Sequence, residues 1–147
     1  MRLWDWAAAA YARRGVEAAC LALQDEHGQS APYLLWAAWA GVADAGVLAR
    51  AADLARRWEA GVGAPLRTTR RTLKEPMAPV GEAARQVLRE EVKAAELAAE
   101  RVLLDTLEQL APRGRAEDLP AVLAAACAAW GRPAPADALE RLADALA

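Results

Sequence analysis

No phenylalanine and no isoleucine occur in this 147-residue chain, and there are only two tyrosines, two cysteines and one histidine. Strands favour β-branched and aromatic side chains, so a sequence this short of them has little to build a sheet from. The lone histidine, His27, has no second imidazole with which to share a metal. Cys20 and Cys127 stand far apart, each in an alanine- and leucine-rich stretch, and form neither a disulfide framework nor a CxxC metal pair. HExxH, GxSxG and a glycine-rich phosphate loop are all missing, and the carboxylates are scattered, with no pair that spacing singles out for acid–base work. No apolar run approaches the roughly 18 residues of a membrane span. The start, Met1-Arg2-Leu3-Trp4-Asp5-Trp6, lacks the basic segment and uninterrupted apolar core of a signal peptide. A net charge of −2 supplies no general attraction to nucleic acid or to an anionic membrane. These absences point to a cytoplasmic, reduced, soluble protein without metal or cofactor, and they weigh against an enzyme.

What is present is mostly alanine, then leucine, with six tryptophans as the large apolar side chains. Alanine has the highest intrinsic helix propensity, and the expected fold is all-α. The most apolar stretch is Pro32-Tyr33-Leu34-Leu35-Trp36-Ala37-Ala38-Trp39-Ala40-Gly41, with no charge from Gln29 to Val42. At 3.6 residues per turn its apolar side chains point in every direction, which marks a buried helix. Ser30 suits the N-cap, Pro32 the first turn and Gly41 the exit. The expectation is a single domain over residues 1–147, a bundle of seven or eight helices around this short central one at about 31–42.

A first helix is expected from about Leu3 to Arg14, with Trp4, Ala7, Ala8 and Tyr11 facing the core, and Gly15 breaks it. A second runs from Val16 to His27, with Gly28 as its C′ residue. Asp44 caps a helix of about Ala45 to Ala60, which Gly61 and Gly63 end. Pro65 opens a short helix to about Lys74, stopped by Pro76 and Pro79, so 75–80 reads as the clearest linker. The longest helix, about 82–110, spans about 40 Å at 1.5 Å per residue. Its core stripe is expected at Ala84, Leu88, Val92, Ala95, Ala99, Val102, Leu103, Leu107 and Leu110, and it should clasp the bundle and project beyond it. In the tail, 116–147, Asp118 and Pro120 open a helix that reaches Trp130. Pro135 opens a last one carrying Leu139, Leu142 and Leu146. The tail packs on the same bundle or docks on a second copy.

Three separated pieces keep a recognisable order. The first is Leu3-Trp4 with Tyr11, then Gly15-Val16-Glu17-Ala18-Ala19-Cys20-Leu21, Leu23-Gln24-Asp25 and Gly28, ending at Leu34-Leu35 and Trp39. The second is Pro65-Leu66-Arg67 with Arg70-Arg71 and Leu73-Lys74, and the third is Val92-Lys93, Glu96-Leu97, Glu100-Arg101 and Leu103-Leu104. On these residues the chain resembles a family of small bacterial helical proteins, a domain of unknown function. The resemblance covers about residues 3–110 and leaves the tail outside. It implies a small cytoplasmic helical protein and brings no activity or cofactor with it.

Few residues invite a chemical role. Cys20 and His27 share a helix face but lie about 10 Å apart by helical rise, too far for a thiolate–imidazole pair. Gln24-Asp25 is a polar pair following an apolar face. Asp25 either accepts hydrogen bonds from an indole or from backbone donors, or stands at a pocket mouth near Tyr11 or Tyr33. Arg67, Arg70, Arg71 and Lys74 recur at i, i+3, i+4, i+7 and make one face of the short helix basic. That face pairs with acids of the long helix, Glu96 and Glu100, or grips a phosphate or carboxylate. The tryptophans fill an alanine-rich core, and an exposed one beside Tyr33 or Trp36 would line a groove.

The leading expectation is a non-enzymatic interaction module that binds a protein partner or itself through the long helix and the apolar tail. The alternative is a small-molecule binder for an anionic or amphipathic ligand. Its site would draw on Tyr11, Gln24, Asp25, Tyr33 and Trp36, with Arg67, Arg70, Arg71 and Lys74 at the mouth. No catalytic residue is assigned.

Overall fold

Side-chain caps start three of the helices at the positions their sequence dictates. Ser30 Oγ accepts the Tyr33 amide at 3.4 Å, Asp44 Oδ1 the Val47 amide at 2.9 Å, and Asp118 Oδ1 the Ala121 amide at 3.0 Å. The computed structural model describes residues 1–147 and contains α1 (Leu3–Tyr11), α2 (Val16–His27), α3 (Ala31–Ala40), α4 (Ala45–Trp58), a π-helical segment (Glu59–Gly63), α5 (Ala64–Thr72), α6 (Glu82–Glu108), α7 (Leu119–Trp130) and α8 (Ala136–Leu146). There are no strands, so the all-α expectation holds, and no helix is long and apolar enough to cross a membrane.

α3 is the post of the bundle. Eight of its ten residues are buried, and α1, α2, α4, α6 and α7 all pack against it. One cluster of 31 buried apolar residues draws on every α-helix except α5. Alanines line much of it, which lets helix backbones approach closely, and the large side chains fill what is left. Tyr33 stacks between Trp36 and Trp130, with ring centroids at 5.9 and 5.4 Å, and its hydroxyl donates to the Ala126 carbonyl at 3.0 Å.

Three sequence expectations differ from the structure. Gly61 and Gly63 do not end α4: the chain passes through the π segment into α5 without leaving helical backbone, Gly63 holds ordinary right-handed dihedrals, and a Cβ there would run into the Glu59 carboxylate. In α1 the residues in the core are Leu3, Ala7 and Ala10, an equally periodic set, while Trp4 and Tyr11 flank it and Ala8 is exposed. In α6 only the last turns reach the core, through Leu103, Leu104 and Leu107. Ala84, Leu88, Ala95 and Val102 face outward. The tail takes the first of its two expected arrangements and packs on the same bundle: Leu139, Leu142 and Leu146 lie in the same core, with α7 against α3 and α4, and α8 against α2.

Gly41 and Gly114 fasten the tail to the post. Gly41 ends α3 with φ +60°, and a Cβ there would stand 2.8 Å from the backbone at Arg115 and Ala116. The Gly114 amide donates to the Trp39 carbonyl at 3.4 Å, and its Cα side faces the Ala40 carbonyl too closely for any side chain. Gly41→Ala is therefore expected to cost roughly 3 kcal/mol, from left-handed strain plus backbone displacement. Gly131→Ala has φ +92° but open space around it, and should cost about 1–2 kcal/mol. Urea unfolding of both variants checks this, and equal losses would contradict the crossing.

Candidate functional site

Where the α4–π–α5 run turns away from the bundle, it leaves a gap against α6. α5 buries no residue fully and packs on α6 and the π segment. A cavity of about 600 Å³ opens there. Its walls are Tyr11 from α1, Leu21, Gln24 and Asp25 from α2, the 28–32 connection into α3, Trp58 and Glu59 at the π segment, Arg67 and Arg71 from α5, Glu96, Ala99, Glu100 and Leu103 from α6, and Trp130. Both lining indoles are tied to backbone: Trp58 Nε1 donates to the Ala99 carbonyl at 3.0 Å, Trp130 Nε1 to that of Gly28 at 2.8 Å. Arg56 caps the Trp130 ring at 5.3 Å.

The structure thus gathers Tyr11, Gln24, Asp25, Arg67 and Arg71 around one space. Arg70 stands at its edge and binds Glu96 (Nε to Oε2, 2.5 Å), while Arg67 binds Glu59 (Nη1 to Oε1, 2.7 Å). The basic face therefore meets α6 through one ion pair and its own helical run through another. Arg71 is exposed with no ion-pair partner, and Lys74 is exposed outside the cavity. Tyr33 and Trp36 have no exposed surface and belong to the core. Sequence reasoning did not single out Trp58, Glu59 or Trp130 for the site. Their only signals were positions at helix ends, which acquire meaning once the π segment is known.

Four groups at or beside the cavity have perturbed acidity, among them Arg67, whose pKa the hydrogen bond to Glu59 raises. Glu100 carries no hydrogen bond or ion pair, and burial holds its carboxyl above the usual carboxylate range. Burial, then the neighbouring Cys20 and Glu100, push the Tyr11 phenol up. Burial, then Glu100, push the Cys20 thiol up to about 12. Cys127 is likewise raised by burial, to about 11. Neither thiol is a nucleophile at neutral pH, no cluster of three or more His, Cys, Asp or Glu is placed to hold a metal, and the only histidine is outside the cavity.

The fold and the site together define an all-helical protein with a lateral, aromatic-walled cavity. Residues 2–107 match the model of DUF2390, a family of proteins of unknown function, and the chain belongs to that family. No curated protein and no solved structure matches it. The matched span stops at the end of α6, so α7, which brings Trp130 to the cavity, lies beyond it.

Both thiols should resist an aromatic disulfide reagent in the native protein and react in stoichiometric amount only after unfolding, as read by absorbance; a fast native reaction would contradict their burial. Glu100, with its folded pKa raised, favours the native state below the unfolded carboxylate pKa and loses that contribution as pH rises through the folded value. Glu100→Gln should therefore match the wild type in stability in acid and exceed it increasingly above that window, in denaturant titrations at a series of pH values.

Proposed function

We propose that this protein is a non-catalytic binding protein, and that the cavity between α2, the π segment and α6 holds a small molecule. The observation that carries the reading is an open cavity of about 600 Å³, a volume within the roughly 300–1,000 Å³ of ligand sites. Three aromatic side chains, Tyr11, Trp58 and Trp130, share its walls with charged and polar groups. On this reading the whole chain acts as one domain, since the tail supplies Trp130, and it acts in the cytoplasm, in keeping with two unpaired thiols. Native mass spectrometry of protein purified from its own cells is expected to show an added mass of a few hundred daltons. Ala99→Trp, which adds bulk beside Trp58 on the α6 wall, should remove it without altering the circular dichroism. A bare chain in the wild type, or an adduct retained by Ala99→Trp, would count against the cavity.

A second reading, association with a protein partner or another copy, is favoured by the outer face of α6. Ala84, Val87, Leu88, Ala94, Ala95, Ala98 and Val102 recur along it at spacings of one to six residues and are all exposed, with Val87 at 61% and Leu88 at 47%. A helix seam of that kind, rich in alanine, suits close packing against a second helix. Leu88→Glu is expected to lower the assembly state seen by sedimentation and to leave the fold unchanged. A wild type that sediments as one chain, alone and in cell extract, would remove this reading.

A further inference from the structure

We infer that the cavity selects a cationic ligand, a protonated amine joined to an apolar or aromatic body, with the ammonium group seated at Glu100. The inference rests on the cavity being the ligand site.

It begins with the charges that line the space. Four carboxylates and two guanidinium groups do so: Asp25, Glu59, Glu96 and Glu100 against Arg67 and Arg71. The ion pairs then cancel selectively. Arg67 is taken by Glu59 and Arg70 by Glu96, which leaves Asp25 and Glu100 against Arg71. Asp25 and Arg71 are both exposed, so water screens them. Glu100 is different. It sits one turn further along α6 than the paired Glu96, toward the bundle, and no side chain or backbone donor of the protein reaches it. The charged and titratable groups around it do not compensate its charge: Tyr11 and Cys20 are neutral with raised pKa values, Arg67 is held by Glu59 and Arg70 by Glu96, and Arg71 stands exposed at the solvent edge. An ionised carboxylate in such a place is stabilised by a cation that brings its own N–H donors.

The wall around Glu100 states what the rest of the ligand is. Tyr11, Trp58 and Leu103 present ring and aliphatic surface, and ring faces attract cations as well as apolar bodies. An anion would have to lie beside Glu100 while reaching for Arg71, a guanidinium at the solvent edge. A metal ion would find one carboxylate where several ligands are needed.

Phenethylamine and 3-phenylpropanoate share a ring and a short chain and differ in charge, and they make the test. Titrated calorimetrically into the full chain near neutral pH, the amine is expected to bind at least roughly tenfold more tightly. Glu100→Gln should erase that preference while leaving the unliganded melting temperature unchanged or raised. In the wild type the amine affinity should fall as pH drops through the raised Glu100 titration, and in Glu100→Gln it should stay flat. Equal affinities, or tighter binding of the propanoate, would overturn the amine assignment and leave the cavity a ligand site. Amine binding indifferent to Glu100→Gln would overturn the role of Glu100. If neither probe binds, the amine assignment falls, and the mass adduct with its Ala99→Trp control decides the cavity independently.

Discussion

A helix that is apolar on every side must be surrounded, and α3 sets the dimensions of everything around it. Ten residues make a post about 15 Å tall. The five helices that touch it can share a core only over that height, and most of them are of similar length. α6, at 27 residues, spans about 40 Å, so more than half of it has no post to lean on. Its buried leucines, at 103, 104 and 107, fall in the part that meets α3, and the residues before Ala99 are exposed or half-exposed apart from Arg85. The overshoot is a consequence of unequal lengths.

The chain manages the overshoot with polar contacts in place of a core. α5 lies along the outer half of α6 and contributes Arg70 to Glu96. Arg85, almost wholly buried, answers from α6 by donating to the Leu73 carbonyl past the end of α5. Such pairs hold orientation at little net gain in stability. The cavity lies at the step between the two regimes, where close alanine packing gives way to this thinner layer. A gap with apolar walls on the bundle side and charged walls on the arm side is what that transition produces.

Those regimes also explain which parts of the structure were legible in the sequence. Where burial is complete, pattern and outcome coincide. The all-round apolar run became α3, and the caps at Ser30, Asp44 and Asp118 and the glycines at 28, 41 and 131 fell where the helix ends are. Where burial is partial, periodicity names a stripe without naming its partner. The stripe foreseen on α6 exists, but for half its length it faces outward, because no element of the chain is long enough to cover it. The α1 stripe was off by one position, since Leu3, Ala7 and Ala10 repeat as well as Trp4, Ala7 and Tyr11 do, and only packing decides between them. Of the residues foreseen for a site, Tyr11, Gln24, Asp25, Arg67 and Arg71 came together because α2 and α5 face each other across the step, an adjacency that no local pattern encodes.

The π segment is the least legible feature and has the widest reach. In a regular α-helix Glu59 and Arg67 would stand about 12 Å apart along the axis. Glu59 opens the five-residue π segment and Arg67 follows it on α5, and their long side chains fold back along the run to meet at 2.7 Å. Glycine at 63 leaves room for the Glu59 side chain to fold back along that path. With Glu59 so engaged, Arg67 is removed from the set of cations able to answer Glu100, and Arg70 is already bound to Glu96. A backbone irregularity at 59–63, signalled in the sequence by nothing more than two glycines, thereby bears on which cations of α5 remain to answer Glu100.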